Sequence, residues 1–470
     1  MTDKLFQSEP GLNRVGYIIY HNVYMDRYLI SHQGLVKSCK TFFREAKNNK
    51  ESREILVNTG WQLFEKVVRL CLALISGILI ARYLQPEQYG VYNYALAFIS
   101  FFAAVSNLGS NQIVVKDLVQ EPEHRQEIVS TAIALRLFSG ISLSISASGI
   151  SLVFIEDKTV QILVIIFSLQ MIFRASEAIE FFFQSRMEFK WIACARNLAA
   201  GVATVLLVLA IIKDQSIFVL AVISSVEFLA SLLFLSAIYI KQNHFFSLAH
   251  ISLSRLKSIL RASWPLIFSG IAITVYMRVD QLMISSMSGN AELGLYSAVV
   301  RLTEAFCLIP LAFIQSTFPK LIRLKEQNEQ AFYSALQNLY NKVSLMGYAS
   351  VLFVSLFSKE LLGILYGDTY IEAAPLFSLL IWSVMFMTLG VARGSFMVTM
   401  NLTGLYFKTV AIASIINIIL NYILIPEYGA FGAAAATVVS YWFAVHGACF
   451  FFRPLHRTGN MLTKSLIFVR

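Results

Sequence analysis

Charged side chains stand in this chain where a hydrocarbon solvent would penalise them. Arg69, Arg136, Arg174, Glu177, Glu180, Arg196, Glu227, Arg278, Asp280, Arg301, Glu304 and Arg393 all lie inside runs of otherwise apolar residues. At a bilayer centre each would cost about 2.5–3.5 kcal/mol on insertion scales, so such a group is expected to face protein or a wet cavity. Arg136, Arg174, Arg278, Arg301 and Arg393 are the candidates for a cationic cavity wall. Glu177, Asp280 and Glu304 are the candidates for coupling to a proton or a sodium ion.

Spacing adds to this. Gln170, Arg174, Glu177, Glu180 and Gln184 recur every three or four residues, which makes one polar stripe on a single helical face. Arg301 and Glu304 are three apart, whereas Arg278 and Asp280 are two apart and need partners from other helices. A plainer reading stays open beside the functional one: Arg174–Glu177 and Arg301–Glu304 could be structural pairs that join helices. Arg69 and Arg196, near span ends, are read as snorkelling to lipid phosphates. Arg136 and Arg393 have no acid in local reach.

The elements that must position these groups follow from composition. Of 470 residues 57 % are hydrophobic and 14 % charged, far below the roughly 25 % charged of ordinary soluble domains. A span needs about 20 mainly apolar residues. Runs that satisfy this are Trp61–Tyr83, Tyr89–Ser110, Ile128–Phe154, Val160–Gln184, Trp191–Ile212 and Ile217–Ile240. A second set follows at Ser263–Met287, Leu293–Phe318, Val343–Tyr366, Ala373–Met400, Leu405–Ile425 and Ala430–Phe452. The expectation is an all-α polytopic membrane protein, with about 12 transmembrane helices in two six-helix lobes around a central cavity. Its parts would be an extension over 1–60, a first lobe over 61–240, a linker over 241–262, a second lobe over 263–452 and a tail over 453–470.

Connections alternate between short acidic or neutral turns, such as LQPEQYG and MSGNAE, and basic ones carrying Lys116, Arg125, Arg186, Lys190, Arg255, Lys257, Arg261, Lys320, Arg323, Lys325 and Lys408. The positive-inside rule then places both termini in the cytoplasm. YGVYNYALAF from Tyr89 is echoed by LGLYSAVVRL from Leu293, at the same place in each set of six spans. Pro265 and Pro310 each remove a backbone donor, so a kink or break is expected near them.

Other classes find little support. The net charge of +10 sits in connections between apolar runs rather than on a stacking platform, which argues against nucleic acid. Cys39, Cys71, Cys194, Cys307 and Cys449 are isolated and the histidines lack ligand spacing, so no metal or other cofactor is implied. GxxxxGK[ST], HExxH and GxSxG are absent, and no enzyme is implied. The first sixty residues lack an apolar h-region. They are read as an extension, with an amphipathic surface helix over Tyr17–Phe43 or an early start codon as the other readings.

Three stretches carry a resemblance: GILIARYLQPEQYGVYNYALAFISFFAAVSNLG from Gly77, RVDQLMISSMSGNAELGLYSAVVRLTEAFCLIP from Arg278, and NIILNYILIPEYGAFGAAAAT from Asn417. Together they resemble bacterial polysaccharide flippases of the Wzx type, within the multidrug/oligosaccharidyl-lipid/polysaccharide exporter superfamily. Asp280 and Glu304 match acidic positions of that family, and Arg82, Tyr89, Gly90, Gly294 and Tyr296 match its turn signatures. Leu84-Gln85-Pro86 departs from its usual Leu-Gly-Pro. The resemblance implies a cavity with alternating access in the bacterial inner membrane. The implied cargo is an undecaprenyl-pyrophosphate-linked oligosaccharide, passed from inner to outer leaflet for O-antigen or exopolysaccharide. Membrane lipids, a coupling proton or sodium ion, a polysaccharide polymerase and a chain-length regulator are the implied partners. A multidrug or small-molecule exporter of the same superfamily is the alternative, and a membrane glycosyltransferase or ligase a weaker one, because every outside loop is short.

Overall fold

In lipid no water satisfies a bare peptide group, so a spanning segment must close its hydrogen bonds within itself. The chain obeys this with helices throughout. The computed structural model describes residues 50–242, 250–400 and 402–467, and no strand occurs among them. The surface helix considered over Tyr17–Phe43 lies outside the described residues. The chain divides at Gly60 into a leading unit and the membrane body Trp61–Arg470.

The helices in order are α1 (Lys50–Ser106), α2 (Asn111–Gln120), α3 (Arg125–Phe154), α4 (Lys158–Phe173), α5 (Ser176–Ser185), α6 (Phe189–Ile212) and α7 (Ile217–Lys241). Then come α8 (Leu253–Ser288), α9 (Asn290–Phe306), α10 (Leu308–Gln327), α11 (Glu329–Tyr366), α12 (Ala374–Leu380), α13 (Trp382–Thr399), α14 (Thr403–Val445) and α15 (His456–Ile467). Among the described residues, 9 segments are long and apolar enough to cross a membrane. Two of these contain a reversal of backbone conformation: α1 at Gln85 and α14 at Gly429. Each therefore supplies two passes, and α8 supplies one more, which reconciles the segments with twelve passes. At 36 residues α8 is about 54 Å long, well beyond a hydrocarbon core of roughly 30 Å.

The two halves repeat at the level of backbone. The turn between the first two passes, on the side that loop charge leads one to expect as outer, carries a positive φ at Gln85 (φ 59, ψ 168), and the corresponding turn of the second half carries one at Gly289 (φ 96, ψ 172). The second pass is interrupted between Ser106 and Asn111, and the eighth at Cys307. Pro310 explains the latter, because its missing N–H leaves the carbonyl four residues back without a helical partner. The fourth pass breaks between Phe173 and Ser176, and the tenth at Ile381. By contrast, the backbone of α8 stays helical through Pro265.

Three apolar cores hold the lobes. The outer core draws on both halves, from Ile80, Tyr89 and Leu220 to Leu293, Val354 and Ala434. Toward the inner side the halves separate. One core, from Leu108 to Leu235, belongs to the first half and also takes Ile259 of α8. The other, from Ile314 to Leu462, belongs to the second half. The lobes thus share one core on the side of the Gln85 and Gly289 turns and are individually packed on the other.

α8 begins inside the stretch read as a linker, and its first turns grip the first lobe. Arg255 Nη2 lies 2.5 Å from a Glu121 carboxylate oxygen, and Ser252 N–H donates to Thr131 Oγ1 at 3.1 Å. The hydrogen bond from Arg255 holds the Glu121 carboxyl below its ordinary range. That contribution is therefore present at neutral pH and lost as pH falls through the lowered value. The tail is ordered as α15, which hydrogen-bonds α11 through Thr458–Tyr340 at 2.9 Å and Ser465–Ser344 at 3.1 Å.

Gln85 occupies a backbone region that is essentially reserved for glycine and costs of order 1–3 kcal/mol otherwise. Its side chain compensates in part, donating to the Arg82 carbonyl at 2.7 Å and accepting from Thr369 at 2.8 Å. We expect Gln85→Val to melt about 2 °C or more below Gln85→Gly in thermal unfolding of the detergent-solubilised protein. Equal melting temperatures would show that the turn is unstrained.

Candidate functional site

A buried charge is tolerated when a partner and hydrogen bonds satisfy it. The intramembrane charges sort themselves by that criterion. In the inner half of the first lobe they pair. Arg136, on α3, is 2 % exposed and lies 3.0 Å from Glu177 on α5. Its guanidinium also donates to Asn107 at 3.2 Å and Asn111 at 2.6 Å, and stacks over Phe181. The acid that local spacing did not offer comes from a neighbouring helix. Arg196 Nε donates to Glu180 at 2.7 Å and approaches Glu65, which also pairs with Arg69 at 3.3 Å. Arg69 and Arg196 are thus held by acids rather than left to reach for lipid.

In the second lobe Arg278 on α8 approaches Glu304 on α9 at 3.7 Å. Both are accessible, at 35 % and 45 % of their side-chain surface. A charged pair this open would be costly against acyl chains. Asp280, two residues on, is buried. It accepts the Tyr296 hydroxyl and its neighbour's Gln281 N–H at 2.8 Å, with Thr437 Oγ1 3.4 Å from the same phenol. Among the described residues no cation forms an ion pair with it.

Neither local pair, Arg174–Glu177 or Arg301–Glu304, forms. Their glutamates go to Arg136 and Arg278, which leaves both arginines without an acid among the described residues. Arg174 caps α4 at the break in the fourth pass, stacks over Phe228 and has a buried Nε with no partner. Arg301 reaches from α9 across to the first lobe and lies on Gly77, where a methyl group would stand 1.7 Å from its Nη1. Tyr89, Tyr92 and Tyr366 are near enough to interact with it electrostatically, and the Tyr89 hydroxyl is buried without a partner among the described residues. A guanidinium without an acid partner at the junction of the lobes offers donors to an anion.

Arg393 on α13 is a third kind. It is 1 % exposed and donates only to neutral groups, Thr409 Oγ1 at 2.9 Å and Cys449 Sγ at 3.5 Å. Several participants escape sequence reasoning: Asn107 and Asn111 beside Arg136, Thr409 and Cys449 beside Arg393, and the orphaned Tyr89. Glu65 had a local signal, four residues before Arg69.

The family described as polysaccharide biosynthesis protein matches residues 55–325, which include both outer turns and every group just named up to Glu304. The chain belongs to this family. Among relatives, the capsular polysaccharide biosynthesis protein CapF of Staphylococcus aureus is 22 % identical over 394 residues, covering 82 % of this chain and 96 % of that one. The Haloferax volcanii protein described as "Probable low-salt glycan biosynthesis flippase Agl15" is 26 % identical over 196 residues, and the match spans 42 % of each chain. The fold is similar to that of the lipid II flippase MurJ in an inward closed conformation, with a TM-score of 0.68 at 18 % identity, covering 88 % of this chain and 91 % of that one.

Arg136 tests the sorting. Arg136→Leu strands a half-buried Glu177 and should destabilise the protein by about 3 kcal/mol, whereas Arg136→Leu/Glu177→Leu should regain most of that loss. Thermal unfolding of the purified variants measures both, and a double variant no better than the single would show that the two do not act as a pair.

Proposed function

We propose that this polysaccharide biosynthesis protein is a flippase. It moves undecaprenyl-pyrophosphate-linked polysaccharide repeat units from the inner to the outer leaflet of the bacterial inner membrane by alternating access. The observation that carries the reading is Arg301, a guanidinium packed on Gly77 of the first lobe with no acid partner among the described residues, and with the unpartnered Tyr89 hydroxyl in electrostatic reach. Pyrophosphate oxygens accept from both donors, and Arg174 adds a second uncommitted cation. The prenyl chain stays in lipid while the headgroup and sugars occupy the space faced by Arg278 and Glu304. The membership of a polysaccharide biosynthesis family supports this cargo.

A cationic drug would meet unpaired arginines in that space, which disfavours the small-molecule exporter. Of the three coupling candidates, Glu177 and Glu304 already serve arginines, whereas Asp280 has only hydroxyl and amide donors. Asp280 is therefore our choice for the proton or sodium ion that drives the cycle. Basic connections on one side put both termini in the cytoplasm, where a polymerase and chain-length regulator of the same pathway would not be obstructed.

Complementation of a strain lacking its own repeat-unit flippase tests the cargo. Arg301→Ala and Arg174→Ala should each reduce surface glycan at least about tenfold, roughly the loss of one charge-assisted hydrogen bond. Protein level and monodispersity should be unchanged, and Arg301→Lys should recover part of the export. Wild-type glycan export by both alanine variants would overturn the proposal.

A further inference from the structure

Two glycines bring the backbones of the two lobes into direct apposition. A methyl group at Gly90, at the start of the second pass, would lie 1.8 Å from the Asn290 carbonyl oxygen. A methyl group at Gly294, at the start of the eighth, would lie 1.9 Å from the Pro86 carbonyl oxygen. Each glycine stands four residues after the residue that the other one meets, so the two contacts are images of each other across the repeat. YGVY and LGLY, the sequence echo, are the two ends of this contact. Only a hydrogen fits at either place, and a Cα–H pointed at a carbonyl forms a weak hydrogen bond of the kind that recurs between closely packed helices.

The polar cross-lobe contacts on this side are neutral. Thr369 Oγ1 donates to Gln85 Oε1 at 2.8 Å and Tyr370 OH donates to the Ala81 carbonyl at 2.8 Å. Among the described residues no ion pair joins the lobes on this side; the cross-lobe ion pairs there are those of Arg255 with Glu121 and Glu127, on the inner side. Close apposition of backbone therefore does what charge does elsewhere. It gains dispersion only when the fit is complete and leaves no stranded charge when the lobes part.

We infer that the outer gate is this pair of reciprocal glycine seats, Gly90 on Asn290 and Gly294 on Pro86, and that any side chain at either position holds the gate open. The inference rests on the alternating-access reading but not on the identity of the cargo. Its test uses the full chain in native membranes with Gln85→Cys and Thr369→Cys, joined by a short bismaleimide and read as the linked peptide by mass spectrometry. Gly90→Ala and Gly294→Ala should each reduce the cross-link at least fivefold. Gly149→Ala and Gly201→Ala, at glycines with nothing within 4 Å, should leave it unchanged. Parental cross-linking in both gate variants would overturn the inference. So would loss of the folded, monodisperse protein in both, because a gate can part to admit a methyl group whereas a fixed core contact cannot. Cross-linking reads no cargo, so a positive result here together with normal glycan export by the arginine variants would sink the flippase reading alone.

Discussion

A charge inside a bilayer must be answered by another group, and in this protein the answers are unevenly distributed. The first lobe meets the requirement with pairs except at Arg174: Arg136 is with Glu177, Arg196 with Glu180, and Arg69 with Glu65. Those pairs span α3, α5, α6 and the inner end of α1, so they tie the inner half of that lobe together. At the junction of the lobes the answers stop. Arg301 has tyrosines and a glycine surface around it but no acid partner. A group of this kind persists only where something else meets the cost, and here an anionic headgroup does so on the proposed reading.

The cores give that charge its setting. Because lipid tails are as apolar as leucine, helices in a membrane associate through fit and hydrogen bonds rather than through release of water. One outer core shared by both halves, and two inner cores that keep to themselves, therefore define where the molecule is fused and where it divides. Arg278 and Glu304, at 35 % and 45 % exposure, form a more open pair than Arg136–Glu177 or Arg196–Glu180 of the first lobe. Beside that shared core, two glycine contacts and the hydroxyls of Thr369 and Tyr370 join the lobes on the same side. Asp280 and Tyr296 link α8 to α9 close to that seam. A change in the charge of this carboxylate would act directly on the helix that also grips the first lobe through Ser252 and Arg255.

Much of this was legible in the sequence. Apolar run lengths mark the passes, and the turn motifs at Tyr89 and Leu293 announce the repeat whose backbone the structure shows at Gln85 and Gly289. The substitution of Gln85 for the family's glycine is explained in the same way, since its amide reaches Arg82 and Thr369. The pairing of charges was not legible. Residues three apart on one helix suggested Arg174 with Glu177 and Arg301 with Glu304, but partners in a bundle are chosen across helices. Neighbouring helices took both glutamates. Sequence spacing reports which residues share a face; it does not report what the face meets. Nor does it reveal neutral partners such as Asn107, Asn111 and Thr409, which only the fold brings beside an arginine.

On the proposed flippase reading, the side where the lobes share one core is the outer one, and the Arg278–Glu304 pair stands in water that connects to the cytoplasm. Reaction of Glu304→Cys with a membrane-impermeant maleimide, compared between inside-out and right-side-out vesicles, reads this directly. Rapid labelling in inside-out vesicles and protection in right-side-out vesicles is the expected result. Equal labelling from the outer face, or no labelling from either, would contradict it.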